Sequence, residues 1–193
     1  MNNKRENKKE QILAVAQKFF SRFGLKKTTM DEIAKAASMG KATLYHYFSS
    51  KEQVFAEVIR KESRILRNKL NEAIDIADDP KEKIRAYITT RMNYLNSLSN
   101  TYTALTDEYL KHYSFVEKFR QDFNDCEIQM LSSVLRYGVD KKIFSVMNIN
   151  SIARIIGIAL RGLEFPLLTE GKSKNFEDDI DLMVDTVSYG ICK

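Results

Sequence analysis

Residues 28–51 read TTMDEIAKAASMGKATLYHYFSSK and decide the fold. Thr29 followed three positions later by Glu32 is a capping-box pattern, which is typical of the start of a helix. A break at residues 38–40 separates this short helix from a second one with apolar residues at helical spacing. Two short helices joined by a tight turn form the minimal helix-turn-helix arrangement, so this stretch predicts one.

The second short helix carries polar side chains opposite its apolar ones. Leu44 and Phe48 must dock on the preceding helices, because a helix this short does not hold together without packing. The N-terminal half of the opposite face then points outward, as it does when a recognition helix enters the major groove of DNA. Its residues are Lys41, Ala42, Thr43 and Tyr45. Lysine can reach guanine or phosphate, methyl groups can touch thymine, and tyrosine offers a ring and a hydroxyl.

The four aromatic residues at 45–48, YHYF, could alternatively fill a small hydrophobic core. We assign Phe48 to the core and expect Tyr47 to be exposed, whereas His46 fits either environment. No Cys, His or carboxylate stands at metal-ligand spacing near His46, so the sequence predicts no metal site there.

Longer helices are predicted on both sides of this segment. The first is predicted to end at Gly24, because glycine commonly closes helices. Ser50 with Gln53 is a second capping-box pattern, and it starts a long helix that continues to about Ala77. Asp79-Pro80 predicts the start of the next helix. The apolar face of the first helix consists of Ile12, Leu13, Ala16, Phe19, Phe20 and Phe23.

Basic charge is concentrated in the first quarter of the chain. Residues 1–51 contain eleven Lys and Arg against four Asp and Glu, a net charge of +7, in a chain whose total is +5. The remaining residues therefore carry a net charge of −2. This asymmetry indicates that the N-terminal part of the chain binds a polyanion and that the rest does not. A basic face that is only solvated would give the same pattern.

Apolar residues recur at helical spacing along almost the whole chain, which predicts an all-α protein of about nine helices. The chain has 193 residues, of which 44% are hydrophobic, and only two are prolines.

No apolar run reaches the roughly 20 residues of a membrane helix, and residues 1–10 are polar, so we expect a cytoplasmic protein without membrane contact. The two cysteines are expected as reduced thiols. We find no catalytic, phosphate-binding or metal-binding pattern, so neither an enzyme nor a cofactor is predicted.

Residues 12–55 resemble the DNA-binding head of the TetR family of bacterial transcriptional regulators. The matching positions are Ile12-Leu13, Phe19-Phe20, Gly24, Thr28-Thr29, Ile33-Ala34, Ala37, Thr43-Leu44-Tyr45, Phe48 and Ser50-Lys51-Glu52. The resemblance implies a recognition helix at about 41–47 and phosphate contacts from Thr29, Tyr47 and Lys51. The full set of expected DNA-binding residues is Thr29, Lys41, Ala42, Thr43, Tyr45, His46, Tyr47 and Lys51.

Three positions depart from the family pattern. Gly40 replaces the usual serine cap of the recognition helix, and Ser38-Met39 replaces a common Gly-Val turn. Tyr47 replaces a frequent histidine. A glycine cap loses one side-chain hydrogen bond, which costs a few tenths of a kcal/mol.

The resemblance also divides the chain into a head at 1–50 and an effector-binding and dimerisation body at 51–193. It implies that the last two long helices form a dimer interface, although their apolar stripes also fit an ordinary core. The interface candidates are Ile155, Ile156, Ala159, Leu163, Met183 and Val187. The effector-binding candidates are Arg91, Tyr94, Tyr109, Phe119 and Phe123.

Arg91 stands out because it interrupts an apolar helix stripe, where an uncompensated cation is costly. It either pairs with Asp107, Glu108 or another acid as a structural bridge, which we favour, or meets an anionic effector.

The sequence therefore predicts a homodimeric repressor that binds a double-stranded DNA operator and is released by a small-molecule effector. The alternative is a DNA-bound adaptor of the same fold that recruits another protein and has no effector.

Overall fold

The computed structural model describes residues 2–101, 113–170 and 176–191, with side chains over 5–98, 121–163 and 178–191. These parts of the chain are helical, which confirms the all-α prediction. The helices expected from the sequence include one over 101–112, and residues 102–112 lie outside the described residues. The helices are α1 (Asn2–Lys27), α2 (Met30–Ala36), α3 (Lys41–Tyr47), α4 (Lys51–Ile76), α5 (Pro80–Thr101), α6 (Tyr113–Asp140), α7 (Ile149–Glu170) and α8 (Phe176–Ile191).

The described chain divides into two compact units. The described residues of the first unit, which we call the head, are 2–62, 101 and 113–120, and those of the second, the body, are 63–100, 121–170 and 176–191. Helix α4 runs unbroken from Lys51 to Ile76 and so contributes residues to both. No described helix combines the length and the apolar character needed to cross a membrane.

The head has an apolar core drawn from α1–α4. Phe20 and Phe55 meet edge to face, with ring centroids 5.2 Å apart, a favourable aromatic geometry. Phe23, which the sequence placed on the apolar face of α1, is exposed instead. The buried residues are Ile12, Leu13, Ala16, Phe20, Leu25, Met30, Ile33, Ala34, Ala37, Leu44, Phe48, Val54, Phe55, Ala56 and Val58.

Gly24 interrupts α1, as the sequence suggested. Its φ of 76° and ψ of 170° are available to glycine and to almost no other residue. Both the backbone N–H and the hydroxyl of Thr28 donate to the Gly24 carbonyl, at 3.3 and 2.7 Å. Helical turns continue to Lys27 beyond this kink, and the chain then enters α2.

The helix caps follow the predicted pattern in two cases out of three. Thr29 and Glu32 form a complete capping box at α2. The Asp79 carboxylate accepts from the N–H of Lys81 at 2.8 Å at the start of α5. At α4, Ser50 Oγ accepts from Gln53 N–H, but the Gln53 side chain accepts from the N–H of Ser49, not of Ser50. In this second capping box, one of the two hydrogen bonds is therefore displaced by one residue, from the N–H of Ser50 to that of Ser49.

The turn between α2 and α3 is a Schellman motif closed by an unusual residue. Met39 N–H donates to Ala34 O at 3.0 Å, and Ser38 N–H donates to Lys35 O at 3.1 Å. Ser38 occupies the position where glycine is usual, with a φ of 54°. A serine side chain in this left-handed region is strained, so the turn keeps its geometry at some cost in stability.

The body has a separate apolar core formed by α4–α8. The sequence predicts an apolar stripe of Ile84, Ile88, Leu95 and Leu98 on α5, and the first three are buried while Leu98 is half-buried. Ala153, Ile156 and Leu160 of α7 and Ile180, Val184 and Ile191 of α8 belong to the same cluster. The last two helices thus use part of their apolar residues within the chain itself.

Ser38→Gly is expected to raise the free energy of unfolding by about 0.5–1 kcal/mol, because glycine relieves the left-handed strain at a smaller entropic cost. Chemical denaturation followed by circular dichroism measures the change. Ser21→Gly, within the regular part of α1, is the matched control and is expected to lower stability by up to about 1 kcal/mol. A Ser38→Gly protein no more stable than the parent contradicts the strain.

Candidate nucleic-acid interface

Helix α3 presents a polar face because its apolar face is fully used. Leu44 and Phe48 are 0% and 1% exposed, and α2 and α3 are in direct contact. The side chains on the other side of the helix are therefore turned outward. Of these, Lys41, Ala42, Tyr45 and His46 are exposed, and Thr43 and Tyr47 are half-buried.

Three aromatic residues shape this face. Tyr45 is 45% exposed, so its ring and hydroxyl are available to a partner. The His46 ring meets the Tyr47 ring edge to face at 5.7 Å, which leaves Tyr47 less exposed than the sequence suggested. Gly40 caps α3 without a side-chain hydrogen bond, in the extended conformation that a cap requires.

Lys41 forms an ion pair with Asp31, a residue that sequence reasoning did not single out. The ammonium lies 2.9 Å from one carboxylate oxygen and 3.0 Å from the other. The hydrogen bond to Asp31 raises the pKa of Lys41, so the ammonium stays charged. Both side chains are well exposed, and a nucleic acid would therefore compete with Asp31 for this lysine. The ten-residue separation across the turn hides the pair from any helical spacing rule.

Thr29 is exposed, but its hydroxyl is already engaged. It donates to a Glu32 carboxylate oxygen at 2.7 Å and accepts from the Glu32 N–H at 3.3 Å. The Thr29 backbone N–H donates to the same carboxylate oxygen at 2.8 Å, and the hydrogen bonds donated by the hydroxyl and by this N–H lower the pKa of Glu32, so the carboxylate is ionised at neutral pH. A phosphate at the N-terminus of α2 must therefore displace or tolerate this acid.

Lys51 does not point toward solvent as a phosphate ligand would. Its ammonium donates to the carbonyls of Leu25, Lys26 and Thr28, at 2.8, 3.1 and 3.2 Å. The side chain is half-buried against the connection between α1 and α2. The phosphate contact expected of Lys51 stays a prediction, and in this structure the charge is turned to the backbone of its own chain.

Ion pairs join α1 to α4 within the head. Glu57 accepts from Lys9 at 2.7 Å and from Arg60, and Lys61 pairs with Glu10. Burial alone would raise the pKa of Glu57, but the hydrogen bonds from Lys9 and Arg60 outweigh it and lower the pKa. These contacts hold the start of α4 against the first helix.

The effector candidates fall into three environments. Phe123 is buried, and Tyr94 is half-buried against the body core. Tyr109 and the side chain of Phe119 lie outside the described residues. Arg91, Tyr94 and Phe123 are not among the residues that line the open groove of about 920 Å³ along the described parts of α6 and the start of α7.

Arg91, the fifth candidate, belongs to a buried ionic cluster. Its Nε donates to Oε1 of Glu127, and both side chains are 0% exposed. The Tyr87 hydroxyl donates to the same oxygen at 2.8 Å, and Arg161 donates to the other oxygen at 3.3 Å. Burial and then the Glu127 charge raise the pKa of Tyr87 well above its usual value. The structural bridge favoured for Arg91 is therefore present, with Glu127 as its acid.

Glu127 is not among the residues singled out from the sequence, although its position in an apolar helix stripe marks it. Glu127 lies on α6 between Phe123 and Leu131, at the four-residue spacing of an apolar helix stripe. It interrupts that stripe just as Arg91 interrupts the stripe of α5. Two opposite charges, each on an otherwise apolar face, are the pattern expected of a buried pair.

The dimer candidates divide between core and surface. Ile155 and Ala159 are exposed, but Ile156 is only 4% exposed in the core of its own chain, which corrects its assignment to an interface. Leu163, Met183 and Val187 are half-buried and pack against that core. The large apolar residues that remain exposed on the described parts of the last two helices are Ile155, Ile158, Leu182 and Tyr189.

Comparisons with known proteins agree with these features. Residues 12–58 match the family model described as bacterial regulatory proteins, tetR family. The chain is 27% identical over 180 residues to the HTH-type transcriptional regulator QacR of Staphylococcus aureus, covering 92% of this chain and 93% of that protein. It is 29% identical over 115 residues to the HTH-type transcriptional repressor KstR2 of Rhodococcus jostii, covering 60% of this chain and 56% of that protein.

A solved structure has the same fold over nearly the whole chain. The transcriptional regulator from Cytophaga hutchinsonii superposes with a TM-score of 0.78 at 27% identity. The match covers 95% of this chain and 98% of that one. The likeness therefore includes both the head and the body.

Glu127→Gln is expected to lower the free energy of unfolding by about 3 kcal/mol, because it removes the negative charge that balances Arg91 in a buried site. Urea denaturation measures the loss. Asp125→Asn, an exposed acid on the same helix, is the control and should change stability by no more than about 0.5 kcal/mol. Equal effects of the two substitutions would show that the buried cluster has no special role.

Proposed function

Because this chain belongs to the TetR family of bacterial regulatory proteins, we propose that it is a sequence-specific DNA-binding repressor of transcription. The observation that carries the proposal is the orientation of α3, whose polar residues face outward while Leu44 and Phe48 are buried. The charge of the first 51 residues, +7, favours a polyanionic partner. The name repressor belongs to the relative KstR2, and we extend it to this chain.

Recognition would use the exposed face of α3. In this proposal Lys41, Ala42, Thr43 and Tyr45 meet base edges in the major groove, and His46 and Tyr47 lie close to the backbone. Lys41 must exchange Asp31 for a base or a phosphate as it binds. Backbone N–H groups at the start of α2, next to Thr29, would fix the register on phosphates.

A single seven-residue helix reads too few base pairs for useful specificity, so two copies are needed, about one DNA turn apart. We propose that α7 and α8 bring them together through Ile155, Ile158, Leu182 and Tyr189. Large apolar residues exposed on two neighbouring stretches of one chain are typical of an interface. Leu182 and Tyr189 are 67% and 83% exposed, which supports this assignment.

Release from the operator would follow effector binding in the body. We infer that a small molecule bound there shifts the body end of α4 and so changes the separation of the two heads. The continuity of α4, which has residues in both units, supports this coupling. We place the functional boundary at residue 50, so that the whole of α4 belongs to the effector-responsive part.

Tyr45→Ala is expected to weaken binding to a DNA duplex from the region upstream of the protein's own gene. The loss is expected to be about tenfold or more, because a base contact contributes about 1–3 kcal/mol. Fluorescence anisotropy at fixed salt measures the dissociation constant. Tyr137→Ala, which removes a partly exposed tyrosine from the body, is the matched control and should bind like the parent. If no duplex is bound at low salt by the parent protein, the proposed function is wrong.

Ile158→Asp and Leu182→Asp are each expected to raise the dimer dissociation constant more than about tenfold, because they bury a charge in the apolar interface. Analytical ultracentrifugation measures the change. Ile76→Asp, at the end of α4 and 84% exposed, is the control and should leave the oligomeric state unaltered. A dimer that resists both interface substitutions uses another surface.

A further inference from the structure

The ammonium of Lys51 has three N–H donors, and the structure supplies three acceptors for them. They are the backbone carbonyls of Leu25, Lys26 and Thr28, at 2.8, 3.1 and 3.2 Å. Lys51 is the first residue of α4, so one side chain joins the start of that helix to the connection between α1 and α2. No donor is left over for a phosphate in this arrangement.

The three carbonyls lie at the end of α1 and in the connection to α2. Leu25 and Lys26 follow the Gly24 kink in the last turn of α1, where the negative end of the helix dipole favours a cation such as the Lys51 ammonium. Thr28 directly precedes Thr29, the cap of α2. Thr28 is itself buried, with its hydroxyl bonded to Gly24 O. The ammonium therefore holds together residues 25–28, the segment that leads into α2 and fixes its position.

We propose that Lys51 is a positioning residue for DNA binding: its ammonium holds the N-terminus of α2 in place and makes no phosphate contact itself. This inference rests on the proposed DNA-binding function. A phosphate contact would require the side chain to give up at least one of its three hydrogen bonds to its own backbone. Lys51 acts on DNA through Thr29 and the N–H groups at the start of α2.

The salt dependence of binding separates positioning from direct contact. Removing one phosphate contact reduces the slope of log K against log salt concentration by about 0.9. We expect Lys51→Met to weaken binding to the upstream duplex about tenfold with this slope unchanged. Lys41→Met provides the reference for a lysine that meets DNA, with a reduced slope. Lys69→Met, an exposed lysine of α4 outside the head, controls for charge removal alone.

A double-mutant cycle with Thr29→Ala tests the route of the effect. If Lys51 acts by placing α2, the double variant loses less affinity than the sum of the single losses, since both act on the same group. Lys51→Gln keeps N–H donors without the charge and should bind more tightly than Lys51→Met. It also serves as the folded variant should Lys51→Met fail to fold.

Hydrogen exchange of the free proteins gives a readout that needs no DNA. Lys51→Met and Lys51→Gln should speed amide exchange over residues 28–33, and Lys69→Met should not. Unchanged exchange overturns the inference, as does a reduced salt slope with additive losses, or a Lys51→Met protein that binds as tightly as the parent. A parent protein that binds no duplex refutes the proposed function, while exchange still reports on the position of α2.

Discussion

The head depends on the burial of Leu44 and Phe48. Seven residues are too few for a helix that persists in water by itself, because the cost of nucleation exceeds the gain from so few hydrogen bonds. Helix α3 exists because these two side chains are removed from solvent, and the same burial turns its polar residues outward. Stability and presentation of the recognition face therefore have one physical origin.

Three polar side chains of the proposed DNA interface already have hydrogen-bond partners within the protein. Lys41 pairs with Asp31, Thr29 is bonded to Glu32, and Lys51 is bonded to three carbonyls. Binding to DNA is then an exchange of partners, whose net gain is smaller than the number of contacts suggests. The exposed Lys41 can exchange readily, whereas Lys51 would have to give up hydrogen bonds to its own backbone. Exposure thus distinguishes the lysine that we propose to contact DNA from the lysine that we propose to position α2.

The body illustrates how a charge can be recognised in a sequence while its partner is not. Arg91 breaks an apolar stripe, which requires compensation, and Glu127 supplies it from a helix 36 residues away along the chain. Either charge could be noticed from helical periodicity, but their pairing depends on how α5 and α6 pack. Likewise Ile155 and Ile156 are adjacent, and the structure places one on the surface and the other in the core.

The sequence by itself determined the all-α class, the helix-turn-helix, the capping box at Thr29 and the role of Gly24, because each depends on local periodicity or on the conformational range of one residue. The tertiary structure alone decided the Asp31–Lys41 pair, the carbonyls bound by Lys51, the acid that meets Arg91 and the division of α7 between core and surface. These features join residues distant along the chain, and only packing brings such residues within hydrogen-bond reach.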